Sequence, residues 1–157
     1  KGYVDAEYQI NYNIYMKNDL SKFLNFKPYK LGKGEKYMGA KQIEHFKKIL
    51  LEWKNQLMRE ADKTVEHMKN DSTKLSDPND AATQEEEFRL ELRTRDRERK
   101  LIIKIDQALQ RVDDGLYGYC EDTGEPIGIK RLEARPIATL CIEAQERHER
   151  LEKSQID

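Results

Sequence analysis

The chain has 157 residues, of which 37% are apolar and 38% charged, with a mean hydropathy of -0.96. That balance excludes a bulky globular core and suits elongated helices that bury a narrow seam beside a small second module. The net charge of -1, from 29 basic and 30 acidic residues, withholds the positive field that autonomous nucleic-acid binding draws on, so a protein or small-ligand partner is expected.

Residues 1–36 read as an N-terminal arm, partly disordered and rich in tyrosine and asparagine, with a lysine-rich end at Lys27–Gly34 and neither helical nor strand periodicity. From Ala40 the apolar residues Ile43, Phe46, Leu50, Trp53 and Leu57 step by three and four, and Ala61, Val65 and Met68 continue after one shift of phase. The spacing predicts a long amphipathic helix to about Asn70, about 45 Å at 1.5 Å per residue. The stretch Lys74–Gln84 is the one strong break before a second helical pattern, so the chain must reverse there.

The second helix carries Phe88 and Leu92, then Ile102, Ile105, Leu109, Val112 and Leu116 at the same spacing, and Gly115 is a natural C-terminal cap. Between those groups the run Arg93–Lys100 loses its apolar residues. If the tip is the fold point, Arg95 and Arg97 lie near Asp62 and Glu60, a charged layer that fixes register at some cost in stability. Residues 37–114 therefore read as an antiparallel coiled-coil hairpin with its tip at 74–82. Four-apart pairs with the acid first, such as Glu44/Lys48 and Glu85/Arg89, each contribute about 0.2–0.5 kcal/mol.

Residues 115–157 form a third segment. Its glycines, Pro126 and short apolar runs suggest a small turn-rich module with a hairpin, and Ala138–Lys153 returns to helical spacing with Leu140, Ala144, His148 and Leu151 on one face. The spacing Cys120-x-x-Thr123, then Cys141-x-x-Ala144, is that of a four-cysteine zinc ribbon with the second ligand of each pair replaced. Thr123 and Ala144 cannot ligate zinc as thiolates do, so zinc is not expected and the module must be held by its own packing. Two cysteines are too few for a secreted disulfide framework, no apolar run reaches the roughly 20 residues that span a bilayer, and no secretory leader is visible, which together predict a cytoplasmic protein with reduced thiols.

At the tip, Asp77 suits an N-cap, Pro78 the first helical position, and Asp80 the positive end of the second helix. No phosphate-cradling glycine loop, nucleophile elbow or two-histidine metal motif occurs, and His45, His67 and His148 read as separate surface residues. Catalysis is not expected.

The run from Asp77 to Phe88, the run Glu91–Ile102, Gly118-Tyr-Cys120 and Ile129–Pro136 together resemble the bacterial DksA/TraR family over about residues 37–153. The resemblance implies a mainly α fold: a long antiparallel coiled-coil hairpin with a small degenerate zinc-ribbon module and a C-terminal helix. It implies a monomeric factor that binds bacterial RNA polymerase through its secondary channel. Such a factor modulates initiation at stable-RNA and other stringently controlled promoters with guanosine tetraphosphate (ppGpp) as effector, without sequence-specific DNA binding. Carried over by motif, Asp77, Asp80 and Ala82 are the tip residues that act near the polymerase active site, and Arg97 holds polymerase. Leu101, Lys104 and Arg135 match a ppGpp site shared with polymerase, where cations suit phosphate oxygens.

Two departures stand out. The degenerate ribbon positions Cys120, Thr123, Cys141 and Ala144 place the chain with the zinc-independent branch of that family. Gln145 stands where better-known members carry a lysine that contributes to nucleotide binding. The alternatives from the residues alone are a ribbon-type nucleic-acid-binding protein and a generic coiled-coil adaptor.

Overall fold

The computed structural model describes residues 24–71 and 78–156, with side chains except at 64–65, 67–71 and 78–80. Among the described residues four helices follow in chain order: α1 (Ala40–Asp71), α2 (Pro78–Asp113), α3 (Ile129–Ala134) and α4 (Ile142–Ile156). The fold is mainly α, and the expected hairpin in the C-terminal segment is reduced, among the described residues, to an isolated antiparallel bridge between Tyr119 and Pro126.

Local chemistry sets the ends of the two long helices. Before α1, the Gln42 side chain reaches back to accept the Met38 N–H at 2.8 Å, satisfying a donor that the first turn cannot. Pro78 opens α2 at the position where its missing N–H costs nothing. At the far end of α2, Gly115 adopts φ 74°, its N–H donates to Val112 O at 3.2 Å, and the Leu116 N–H donates to Arg111 O at 2.9 Å. That pair of bonds is a Schellman motif, which the left-handed backbone of Gly115 makes possible.

The chain divides into two compact units, Leu51–Gln107 on the one hand and the residues before and after it on the other. Within Leu51–Gln107, α1 and α2 run antiparallel: Lys54 Nζ meets Asp106 Oδ1 at 2.7 Å, and Glu60 lies beside Glu98. This is close to the register that a fold point at the tip predicts. Trp53, Leu57 and Ile105 are buried there. Phe88 and Leu92 are not seam residues as the spacing suggested, being 47% and 42% exposed. The buried member of the charged layer is Glu98, while Arg95 is exposed and Arg97 half-buried.

The other unit is denser. Phe46, Ile49 and Leu50 of α1 and Ala108 of α2 are buried, as are Tyr117, Ile127, Leu132 of α3, Pro136 and Ala144 of α4. Phe46 and Tyr117 set their rings 5.8 Å apart, and the Tyr117 hydroxyl donates to Pro136 O at 2.7 Å. Burial holds that phenol well above the ordinary tyrosine value, so it stays a neutral donor.

Residues 24–39, mostly assigned to the arm from sequence, strap this unit. The Tyr29 N–H donates to Glu133 at 3.2 Å. The Tyr37 hydroxyl donates to Gly118 O at 2.7 Å and accepts the Gly128 N–H at 2.9 Å. Gly118 is required here: its φ is +90°, and a Cβ would stand 2.8 Å from Met38 Cγ. His45 is not the surface residue expected, because Phe26, Tyr29 and Phe46 surround its ring at 5.1–5.9 Å and Glu133 lies 3.5 Å from Nε2. Nor does the last helix begin at Ala138. Ala138–Cys141 are engaged in the turn-rich part, where Glu121 N–H donates to Thr139 O at 2.9 Å, and α4 starts at Ile142.

Candidate functional site

The residues singled out from sequence fall in three places. Of the tip, Asp77 and the side chain of Asp80 lie outside the described residues, while Ala82, in the second turn of α2, is exposed. Further along α2, Arg97, Leu101 and Lys104 step by four and three, which sets them on one face of the helix. Arg97 and Leu101 are half-buried and Lys104 is exposed. The Arg97 guanidinium donates to Thr94 Oγ1 at 3.1 Å, and Thr94 in turn donates to Leu90 O at 3.0 Å, so the cation is held against its own helix.

Beside it is a residue that sequence reasoning passed over. Glu98 is 5% exposed and its Oε2 has no hydrogen-bond partner among the described residues. Burial and then the neighbouring Glu60 push its carboxyl above the ordinary carboxylate range, with Arg97 pulling the other way. Its neighbours in sequence, Arg97 and Arg99, hid it inside what reads as a solvated charge run.

Arg135 and Gln145 belong to the other unit. Arg135 closes α3, its N–H donating to Arg131 O at 2.8 Å, and it is half-buried. Gln145 sits in the first turn of α4 and donates to Glu149 Oε1 at 3.1 Å. Neither could have been linked to Lys104 by periodicity or spacing.

The four ribbon positions sit in tight turns. Gly124 N–H donates to Cys120 O at 2.9 Å and Cys120 N–H to Glu125 O at 2.8 Å, closing the first knuckle. Gln145 N–H donates to Cys141 O at 2.9 Å, opening α4 directly after the second. Cys120, Cys141 and Ala144 are buried, and Thr123, although exposed as a residue, places its hydroxyl 3.9 Å from Cys141 Sγ. Burial pushes the Cys120 thiol up, but hydrogen bonds from the Thr123 hydroxyl and from the backbone N–H groups of Cys141, Thr123 and Asp122 outweigh it and bring it down to about 6. Two side-chain links flank the knuckle: His148 Nε2 meets Asp122 Oδ2 at 2.6 Å, and Arg111 pairs with Glu121 while donating to Tyr119 O at 2.8 Å.

Two family models cover most of this chain. The "DnaK suppressor protein DksA, N-terminal domain" matches residues 42–112, and the "Prokaryotic dksA/traR C4-type zinc finger" matches residues 115–150. The chain belongs to the DksA family. It is 56% identical over 125 residues to the RNA polymerase-binding transcription factor DksA of Caulobacter vibrioides, covering 80% of this chain and 88% of the relative. To the factor of that name from Escherichia coli it is 55% identical over 118 residues, 75% of this chain and 78% of the relative. The structure of transcription factor DksA2 from Pseudomonas aeruginosa superposes with a TM-score of 0.69 at 44% identity, covering 74% of this chain and 90% of that one.

Membership raises the question of zinc, since the matched finger is of the four-cysteine type. The residues do not fit it. The four positions offer two thiols, a hydroxyl already placed 3.9 Å from Cys141 Sγ and a buried methyl group. No cluster of three or more His, Cys, Asp or Glu able to hold a metal occurs among the described residues. Structural zinc takes four such ligands in a tetrahedron. In this DksA-family chain the knuckles are closed by the hydrogen bonds and packing described above.

Proposed function

We propose that this chain binds bacterial RNA polymerase through the secondary channel and modulates transcription initiation together with ppGpp, as a cytoplasmic monomer that makes no sequence-specific DNA contact. The observation that carries the reading is the 56% identity over 125 residues to a relative named for binding polymerase. Three features support it. The antiparallel helices are of the kind that presents a tip. Leu101 and Lys104 share a face of α2 with Arg97. The net charge of -1 argues against DNA as the first partner.

In this reading Asp77, Asp80 and Ala82 act at the tip, Arg97 holds polymerase, and Leu101, Lys104 and Arg135 contribute to the ppGpp site. The ribbon folds without zinc, so metal analysis of protein purified without added zinc should find none in stoichiometric amount. The deciding experiment is transcription from a stable-RNA promoter, with and without ppGpp, alongside competition with another secondary-channel factor for core polymerase. Competition with repression of that promoter supports the reading, and a lack of competition removes it. Asp77→Asn, which can still cap, should leave stability within about 0.5 kcal/mol while weakening the effect on transcription. Lys104→Ala should abolish the ppGpp enhancement and leave polymerase binding in place. An unchanged ppGpp response would remove Lys104 from the site.

A further inference from the structure

A cavity of about 590 Å³ opens inside the unit that contains the knuckles, within the roughly 300–1,000 Å³ typical of ligand sites. None of the tip, polymerase-contact or ppGpp residues lines it. Its apolar lining includes Ile127, Ile129, Leu31 and Ile142, and the last two remain 64% and 55% exposed. The polar lining is unevenly satisfied. Glu35 already accepts the Tyr29 hydroxyl at 2.6 Å, the Gly32 N–H at 3.4 Å and the Gln42 amide at 3.3 Å, so its carboxylate is engaged within the chain. Arg131 donates its Nε–H to Leu140 O at 3.1 Å, while its terminal nitrogens and Lys130 Nζ have no partner among the described residues. The strap adds Lys30, Lys33 and Lys36, exposed and equally unpaired among the described residues, and interleaved in the chain with the lining residues Leu31, Glu35 and Tyr37. Glu133 of α3 is turned to the Tyr29 N–H and His45. The acids beside other lining residues, Glu125 and Glu143, come from the knuckle and α4, so the positive side of the cavity is the one built by the strap and α3.

We propose that this cavity docks an acidic, extended peptide segment of a protein partner, which inserts one aromatic or branched aliphatic side chain against Leu31 and Ile142. Its carboxylates then lie on Lys130, Arg131 and the strap lysines. Both halves of that chemistry are needed. The aliphatic lining still in water gains from an apolar anchor that covers it, and a free inorganic anion would leave it wet. The unpaired cations select an acidic segment and exclude a basic one. Nucleic acid fits the charge but not the lining, because bases held on a basic surface stack on open aromatic rings. Tyr37 is the aromatic residue that lines the cavity. Its ring stands edge-on to Tyr119 at 5.5 Å, and its hydroxyl is engaged by Gly118 and Gly128.

The test titrates the full chain, at low salt, into fluorescein-labelled acidic peptides of aspartate and glutamate with a central phenylalanine, leucine or alanine, and follows anisotropy. Oligothymidylate of equal charge is the nucleic-acid arm. The phenylalanine or leucine peptide should bind about 10-fold more tightly than the alanine peptide. Ile142→Ser should remove that difference and leave the alanine peptide unaffected. Lys130→Glu and Lys36→Glu should each weaken all three peptides by about 3–10-fold and flatten the salt dependence, whereas Lys153→Glu, away from the lining, should not. These side chains are exposed, so far-UV circular dichroism of each variant should match the parent. Equal binding of the three peptides, or none at all, overturns the proposal. Oligothymidylate that binds more tightly than every peptide, and is lost in the same lysine variants but not in Ile142→Ser, overturns it in favour of nucleic acid.

Discussion

The two units of this chain are built on opposite economies of contact. In the unit that contains the knuckles, a short sequence is tied at many points: Tyr117 to Pro136, Tyr37 to Gly118 and Gly128, Tyr29 to Glu133, Arg111 to Tyr119 and Glu121. Its buried aromatic and aliphatic side chains come from every segment. In Leu51–Gln107 the described seam contains Trp53, Leu57 and Ile105, and then a carboxyl group. Exposed apolar residues, Leu51, Met58, Phe88, Leu90, Leu92 and Ile103, lie outside it. In the knuckle unit the place of a zinc ligand set is taken by dense, mostly neutral hydrogen bonding around an aromatic centre.

The largest expected effect follows from Tyr117, which is 2% exposed and sits at the meeting of α1, the knuckle and Pro136. Tyr117→Ala should destabilise by about 3–5 kcal/mol, the range for deleting a large buried aromatic, with a further penalty for stranding the Pro136 carbonyl. Urea denaturation measures the loss, and hydrogen exchange should place it in α3 and α4 before the paired part of α1 and α2. Uniform loss of protection along both long helices would mean that the units are not separable in energy.

How much of this was legible in the sequence differs between the same two units. The ends of α1 and α2 were readable because local chemistry specifies them: Pro78 as a start, Gly115 as a stop, a three-four spacing in between. The short α3 was not, since six residues are too few for periodicity, and what fixes it is the packing of Leu132. A helix from Ala138, as the spacing suggests, starts four residues too early, because Ala138, Leu140 and Cys141 are apolar for the sake of the knuckle rather than of a helix. The strap of residues 24–39 escaped notice because its bonds run to Gly118, Gly128 and Glu133, far away in sequence. For the candidate site, Arg97, Leu101, Lys104 and Arg135 all come from the family resemblance, and the helix adds that the first three share one face of α2. Thr123 reads in the sequence as a ligand lost, and only its position shows a hydroxyl that accepts the Glu125 N–H at 3.2 Å and lies 3.9 Å from Cys141 Sγ.

Glu98 gives a prediction that sharpens the contrast in the helical unit. Its folded carboxyl is raised above its unfolded value, so the folded state holds a proton more readily than the unfolded one in the window above the ordinary glutamate value of about 4.3. Stability from this group is therefore fullest below that value and is lost as pH rises through the folded value. Glu98→Gln keeps the shape and removes the charge. It should stabilise by about 1 kcal/mol at neutral pH and by nothing near pH 4, measured as paired thermal melts across that range. A variant destabilised at neutral pH would show that the charged form contributes favourably, through Arg97.

The smallest effect tests the register itself. The three-four spacing of α2 made Phe88 and Leu92 the first seam residues after the tip, and burial on that scale would make Phe88→Ser or Leu92→Ser cost about 2–5 kcal/mol. At 47% and 42% exposure most of that cost is absent, and each change should fall within about 0.5 kcal/mol of the parent in urea denaturation. The reason lies in the charged layer. Once Glu98 occupies the seam, the apolar stripe on its tip side no longer has to meet α1 edge to edge, and apolar residues can remain there without carrying the pairing. A large loss in either variant would return Phe88 and Leu92 to the seam and make Glu98 a local exception within it.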